Sequence, residues 1–270
     1  MTASRLHLIP LAVFFIFPIT FATTYFVAVK LDHIHAFFAY ISDTGTFAPE
    51  MCIFGLGLSI AMVFVGGVAY IRFMQIEEYL RQKGHEENRK LKIWNKVGLF
   101  FGILAAFGAC VVGAFQEVSV LSVHIIGAFM AFGGGSIFLI IQGFFTKAMA
   151  PQFGSKALAY LRIFLGIACL LLFIISYSTG ATSLKYFTGD KAVKWEPHHG
   201  GWALRVTSTV TEWVMAALFD LYFLTFVPEF KRISFVAPQF RLVEVSTVKG
   251  RGTNGRTVVM HQAVTSISDT

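Results

Sequence analysis

Six stretches of the chain, residues 8–29, 51–71, 97–115, 120–145, 158–177 and 206–226, run for about twenty residues with at most two charges in any of them. At ~1.5 Å rise per residue, each is long enough to cross the ~30 Å hydrocarbon core of a bilayer as a helix. Lipid offers the backbone no hydrogen bonds, so an unbroken apolar stretch of this length satisfies its own groups by coiling. The chain therefore reads as an all-α polytopic membrane protein, a bundle of six transmembrane helices. Composition agrees, with 56% hydrophobic and 14% charged residues, against ~25% charged in soluble domains. An ordinary soluble enzyme is excluded. The first stretch exceeds a signal-peptide core of ~7–15 residues and reads as a retained helix. Residues 1–230 are expected to form the membrane domain and 231–270 a tail; the segment Val227–Val245 is expected to lie along the membrane surface, and the chain from Ser246 onward to be disordered.

The net charge of +7 is sorted rather than clustered. With the N-terminus in the cytosol, 17 of the lysines and arginines fall on the cytosolic side and 5 on the other. This asymmetry is the positive-inside signal, and it places both termini in the cytosol. The basic charge thus needs no nucleic-acid partner. The cytosolic loop 72–96 is expected to prolong the second helix, with Phe73, Ile76 and Leu80 as a stripe against the interface and Glu77 paired with Arg81 at i,i+4. Arg162, just inside the fifth stretch, is expected to snorkel to the cytosolic interface. Cys52, Cys110 and Cys169 lie within spans and read as small core residues, not as disulfides. Gly98, Gly102, Ala105 and Ala109 suit close helix packing within one chain. They do not by themselves argue for a homodimer, and the sequence leaves the oligomeric state open.

Polar groups inside spans are costly and point to function by default. Glu212 and Asp220 lie in the sixth span, His124 and Gln142 in the fourth. One reading gathers Glu212, His124, Glu117 and the pair His198–His199 into a metal or acid–base site, which would make a metal-dependent lipid hydrolase. The spacing gives this little support: no HExxH occurs, and no cofactor is implied. The alternatives are interhelical hydrogen bonding and a lipid or ion pathway. Two loops on the non-cytosolic side, 30–50 and 178–205, are long enough to hold structure.

The most distinctive polar string is Tyr40-Ile-Ser-Asp-Thr-Gly-Thr46, followed by Pro49-Glu50. It reads as a tight turn leading into the second span. Asp43 and Thr44 bond the local backbone, and Gly45 permits a positive φ. Pro49 suits the first helical turn, where Glu50 complements the N-terminal dipole.

This string resembles the hallmark of the damage-regulated autophagy modulator (DRAM) family, within a wider Frag/DRAM/Sfk superfamily of six-span proteins. Further matches follow in order: Asn95-Lys96 with Gly98, Phe115-Gln116, His124 with Gly127-Ala128, Phe132-Gly133 with Gly135, then Gln142, Arg162 and Glu212-Trp213. The resemblance covers roughly residues 8–235, and neither Asp220 nor the tail belongs to it. It implies a non-enzymatic, multi-pass protein of lysosomal or late endosomal membranes that promotes autophagy and is sometimes linked to cell death. Other endomembranes or the plasma membrane are the alternative location. It supplies no catalytic residue and no metal site. It draws attention to Ser42, Asp43, Thr44, Gly45, Glu50, Gln116, His124 and Glu212, all expected toward the luminal half. Loop 30–50 is expected to dock over the luminal ends of the third, fourth and sixth helices, as a polar cap that holds a lipid headgroup or locks the bundle. Expected partners are membrane lipids and autophagy or lysosomal proteins that the sequence does not identify. The alternative function is a protein that binds, transports or remodels lipid.

Overall fold

The computed structural model describes residues 5–85 and 87–234 and, beyond them, the stretches 245–251 and 257–263. Six long helices carry the apolar stretches: α1 (Leu8–Lys30), α2 (Glu50–Gln82), α3 (Arg89–Ala114), α4 (Leu121–Met149), α5 (Lys156–Tyr186) and α6 (Trp202–Leu224). A one-turn α7 (Val227–Phe230) follows. Consecutive helices pack side by side and α6 returns against α1, which closes the bundle into a ring. Its outer face carries exposed Phe15, Phe26, Phe100, Phe107 and Phe164, as a bilayer-facing surface should. Val65, Phe138, Leu139, Met215 and Tyr222 fill the interior.

The helices outrun the apolar stretches. α2 has 33 residues, about 50 Å at ~1.5 Å each, so it projects well past a ~30 Å hydrocarbon layer. Glu77, Glu78, Arg81 and Gln82 are good helix formers that extend it in polar surroundings. The segment 72–96 prolongs the second helix as expected, to Gln82, and leaves a loop at 83–88, where Asn88 Oδ1 caps α3 by accepting the Leu91 N–H at 3.2 Å. Likewise α5 runs to Tyr186, and the loop expected at 178–205 shrinks to 187–201. Ile76 and Leu80 do not lie at an interface: they are buried against Ile141, Phe145 and Met149 of α4. Arg81 pairs with Glu78 at 2.6 Å, while Glu77 accepts from Asn95 Nδ2 at 3.0 Å. Cys169 is buried as expected, but Cys52 faces outward.

Two close backbone approaches set the helix geometry. α3 crosses α4 at Gly108 and Gly127, where a Cβ on Gly127 would stand 2.9 Å from the Gly108 carbonyl oxygen. α4 crosses α5 at Gly143 and Gly166, where added Cβ atoms would meet Ile163 N and Ile140 N, each at 2.9 Å. That second crossing lies toward the end of the bundle where α1 begins and α7 lies. Toward the other end α4 carries a π-helical segment, Phe129–Gly134, and its first two turns stand off from α5.

Residues 235–270 form a separate unit. Within it Val245–Arg251 pairs antiparallel with Thr257–Ala263, Val248 opposite Met260. A hairpin of Val- and Thr-rich strands thus stands where the sequence reading expects an unstructured tail. The surface-lying segment expected over Val227–Val245 is not found at its start, where Glu229 and Phe230 of α7 are buried in the bundle because Glu229 meets two buried arginines. Its residues 235–244 lie outside the described residues.

Candidate functional site

The string Tyr40–Thr46 builds one end of the bundle. Ser42–Gly45 is a single 3-10 turn, and the groups around it bond outward to α1, α6 and the α3–α4 turn. Thr44 Oγ1 shares a hydrogen bond with Thr24 Oγ1 of α1 at 2.8 Å. The Ile41 N–H donates to Glu212 Oε2 of α6 at 2.9 Å, and Ser42 Oγ donates to Glu117 Oε2, in the α3–α4 turn, at 3.3 Å. Asp43 Oδ2 accepts the Tyr40 N–H at 2.8 Å and Arg205 Nη2 of α6 at 2.5 Å. Gly45 does not adopt a positive φ. Its lack of a side chain matters for space, since a Cβ there would overlap the Phe54 ring of α2.

Arg205 is 4% exposed and Asp43 is fully buried. The guanidinium carbon also lies 4.0 Å from the Tyr40 ring centroid and 5.2 Å from that of Trp195. Tyr40 in turn donates to Ser208 Oγ at 2.6 Å, and burial pushes its phenol up to about 12. Burial, reinforced by the neighbouring Glu117 carboxylate, holds the Asp43 carboxyl well above its usual range, with Arg205 opposing the shift. Trp213 Nε1 donates to the Ala39 carbonyl at 2.9 Å. The loop therefore docks chiefly on α1, α2 and α6 and on the α3–α4 turn.

The other residues singled out in the sequence divide. His124 is buried and its Nδ1 meets the Phe115 carbonyl at 2.7 Å, so that nitrogen carries the proton and Nε2 is left as an acceptor. Glu50 is buried in the first turn of α2, but it bonds His33 at 2.5 Å and stands apart from the Glu212 group. Gln116 makes a 3.5 Å bond to the Ala114 carbonyl at the half-exposed turn. His198 pairs with the exposed Glu196. Among the described residues, no three His, Cys, Asp or Glu side chains are grouped closely enough to hold a metal ion.

Two cavities meet at Glu212. A narrow central one, about 110 Å³, runs inside the ring between Phe54, Phe138 and Phe219, with Ser42, His124 and Glu212 near one end and Asp220 in its wall. Asp220 is 8% exposed and its Oδ1 has no partner among the described residues. A lateral cleft of about 380 Å³ lies where α4 stands off from α5. It shares Ser42, His124, Ala128, Phe132 and Glu212 with the central cavity and adds Glu117 and Arg205.

At the opposite end a second polar cluster is closed. Glu229 of α7 accepts from Arg72 Nη1 at 2.5 Å and from Arg162 Nη1 at 2.6 Å, and both arginines are 0% exposed. Arg72 Nε donates to Gln142 at 3.0 Å, and Arg162 donates to Thr146 and Thr225. Both guanidinium groups also flank the Phe226 ring. Arg162 thus turns inward instead of snorkelling, because an acidic partner 67 residues away reaches it. Sequence reasoning passed over Glu229. Its one signal is an acidic residue directly behind the last apolar stretch, beside Pro228.

Residues 5–233 match the Frag1/DRAM/Sfk1/Cwh43P N-terminal domain. Human DNA damage-regulated autophagy modulator protein 2 is 35% identical over 217 residues, which cover 79% of this chain and 80% of the relative. Human DNA damage-regulated autophagy modulator protein 1 is 28% identical over 215 residues, covering 79% and 86%. The modulator of macroautophagy TMEM150B-B of Xenopus laevis is 30% identical over 193 residues, covering 72% and 71%. No solved structure matches the chain. The matched region takes in all six helices, the Tyr40–Thr46 cap and Glu229, and with that extent of similarity the chain belongs to the Frag1/DRAM/Sfk1 family of multi-pass membrane proteins.

Proposed function

We propose that this protein is a non-enzymatic regulator of autophagy in lysosomal or late endosomal membranes, with both termini in the cytosol and the Tyr40–Thr46 cap in the lumen. The observation that carries the proposal is similarity across the whole helical ring to relatives named autophagy modulators. The sorting of Lys and Arg supports the orientation. Arg72, Arg162 and Arg205 are buried and drop out of that comparison, yet a large excess remains on the proposed cytosolic side. The test is localisation of the tagged full chain together with autophagic flux in cells lacking it. Reduced turnover of an autophagosome marker, restored by the full chain on lysosomal membranes, is the expected result. Unchanged flux with a plasma-membrane location would overturn the proposal.

A second reading, binding or handling of lipid, is favoured by the lateral cleft. An opening between α4 and α5 at the level of buried polar groups is what a lipid entering sideways requires, and a sealed bundle would lack it.

A further inference from the structure

The cleft between α4 and α5 has a chemical polarity of its own. Its walls are apolar, formed by Ile125 and Phe132 of α4 and by Phe173 and Leu184 of α5. Its outer edge carries Leu121 and Tyr177, both exposed on the bilayer-facing surface. Three polar groups of the lining, Glu212, Glu117 and His124, bring acceptors. Glu212 is engaged through Oε2 with Ile41 N–H, and Glu117 through Oε2 with Ser42. Glu212 also has a second carboxylate oxygen with no protein donor among the described residues, while the Glu117 carboxylate also faces the buried Asp43 carboxyl. His124, 7% exposed, is committed through Nδ1 to Phe115 and presents an unpartnered Nε2.

The charge is unbalanced in the same sense. Arg205 is the one lysine or arginine lining the cleft and its ion pair goes to Asp43, so neither Glu117 nor Glu212 has an ion pair of its own among the described residues. One donor is also left over, since the buried Arg205 Nε–H has no acceptor. A primary ammonium brings three N–H donors and a positive charge, and a neighbouring hydroxyl oxygen would accept from Arg205. The acceptors are too spread for a single metal ion, which suits a head group of several atoms.

We propose that this cleft binds the protonated head group of a single-chain lipid amino alcohol, with its hydrocarbon tail between α4 and α5. This rests on the lipid-binding reading above and is independent of any role in autophagy. Glu212, Glu117 and His124 accept from the ammonium, and the chain enters sideways from the bilayer.

The experiment uses the purified full chain in phosphatidylcholine nanodiscs and photoactivatable, clickable sphingosine, with cross-linked peptides mapped. Expected are cross-links in 121–132 and 173–184. Unlabelled sphingosine should compete at least tenfold better than N,N,N-trimethylsphingosine, which keeps the charge but has no N–H donor. Oleic acid should not compete. Glu212→Gln with Glu117→Gln should cut labelling about tenfold. Ile125→Trp, which fills the cleft from its apolar side and leaves both carboxylates in place, should do the same. Each variant is checked for a monodisperse, cooperatively unfolding bundle, and the competition series on the unaltered chain needs no variant. Equal competition by the trimethylated or neutral lipid would overturn the amine assignment while leaving lipid binding intact. Absence of any lipid cross-link in the cleft would overturn both.

Discussion

Arg205 and Asp43 stand 162 residues apart in the chain and 2.5 Å apart in the fold, where they bind the Tyr40–Thr46 cap to α6. Removing one partner of a buried pair leaves a charge without solvent or counter-ion, at a cost of about 3–5 kcal/mol. Arg205→Ala is therefore expected to lower the stability of the full chain in detergent by that order. Adding Asp43→Asn should recover part of the loss, because it removes the stranded carboxylate. Thermal unfolding of the single and double variants checks this, and a double variant as unstable as the sum of the singles would refute the coupling.

At the other end Glu229 is shared by two arginines, and loss of either side is not equivalent. Glu229→Ala leaves two buried guanidinium groups facing each other, whereas Arg72→Met leaves a neutral Arg162–Glu229 pair. The expected order is a loss of about 3–5 kcal/mol for the first and a smaller one for the second. Unfolding midpoints in the same detergent give the order directly. A larger loss for Arg72→Met would mean that packing, not the carboxylate, holds α7 in place.

These two clusters mark the limit of what the sequence discloses. The six helices are legible because apolar length is a local property, and the Tyr40–Thr46 string because its turn residues bond close neighbours. Glu212 and His124 also announce themselves, being polar within apolar stretches. Arg72 and Glu229 do not: each lies beside the end of an apolar stretch, where a charge ordinarily meets water or lipid headgroups. Only the fold shows that Glu229 reaches both arginines across 157 and 67 residues. Helix ends are misjudged for a related reason, since hydropathy reports where a helix meets lipid and not where its hydrogen bonding stops.

Asp32 and Lys194 join the end of α1 to the 187–201 loop by a 2.8 Å contact, and the hydrogen bond to Lys194 draws the Asp32 carboxyl below its free value of 3.8. A carboxyl with a lowered folded pKa contributes stability that is present above its free value and lost as pH falls through the folded one. Asp32→Asn should therefore be slightly less stable than the unaltered chain at pH 6 and equal to it well below pH ~3.8. The pair is exposed, so the pH 6 difference should also shrink in high salt. A difference that persists in acid would assign the effect to something other than this pair.

Gly45 sits where a Cβ would overlap the Phe54 ring, so Gly45→Ala must displace either the cap or α2. Overpacking of this kind costs about 1–3 kcal/mol. Phe54→Leu, destabilising on its own, should become less so in the Gly45→Ala background, because the smaller side chain yields the space. Strict additivity of the two losses would show that the cap accommodates the methyl elsewhere.

The cleft exists because α4 and α5 touch backbone to backbone at one level and part at another, and glycine substitutions should report that difference. At Gly166 an added Cβ would stand 2.9 Å from Ile140 N, a main-chain atom that can move only with its helix. At Gly133, beside the cleft, the nearest atom is Phe173 Cε1 at 3.2 Å, the outer edge of a ring that can turn aside. Alanine in a helix also gains about 1 kcal/mol over glycine in intrinsic propensity. Gly166→Ala is thus expected to lose about 1–3 kcal/mol net of that gain, and Gly133→Ala to be neutral or slightly stabilising. Thermal unfolding of both variants decides the matter, and equal losses would mean that α4 and α5 are as tightly joined at the cleft as at their crossing.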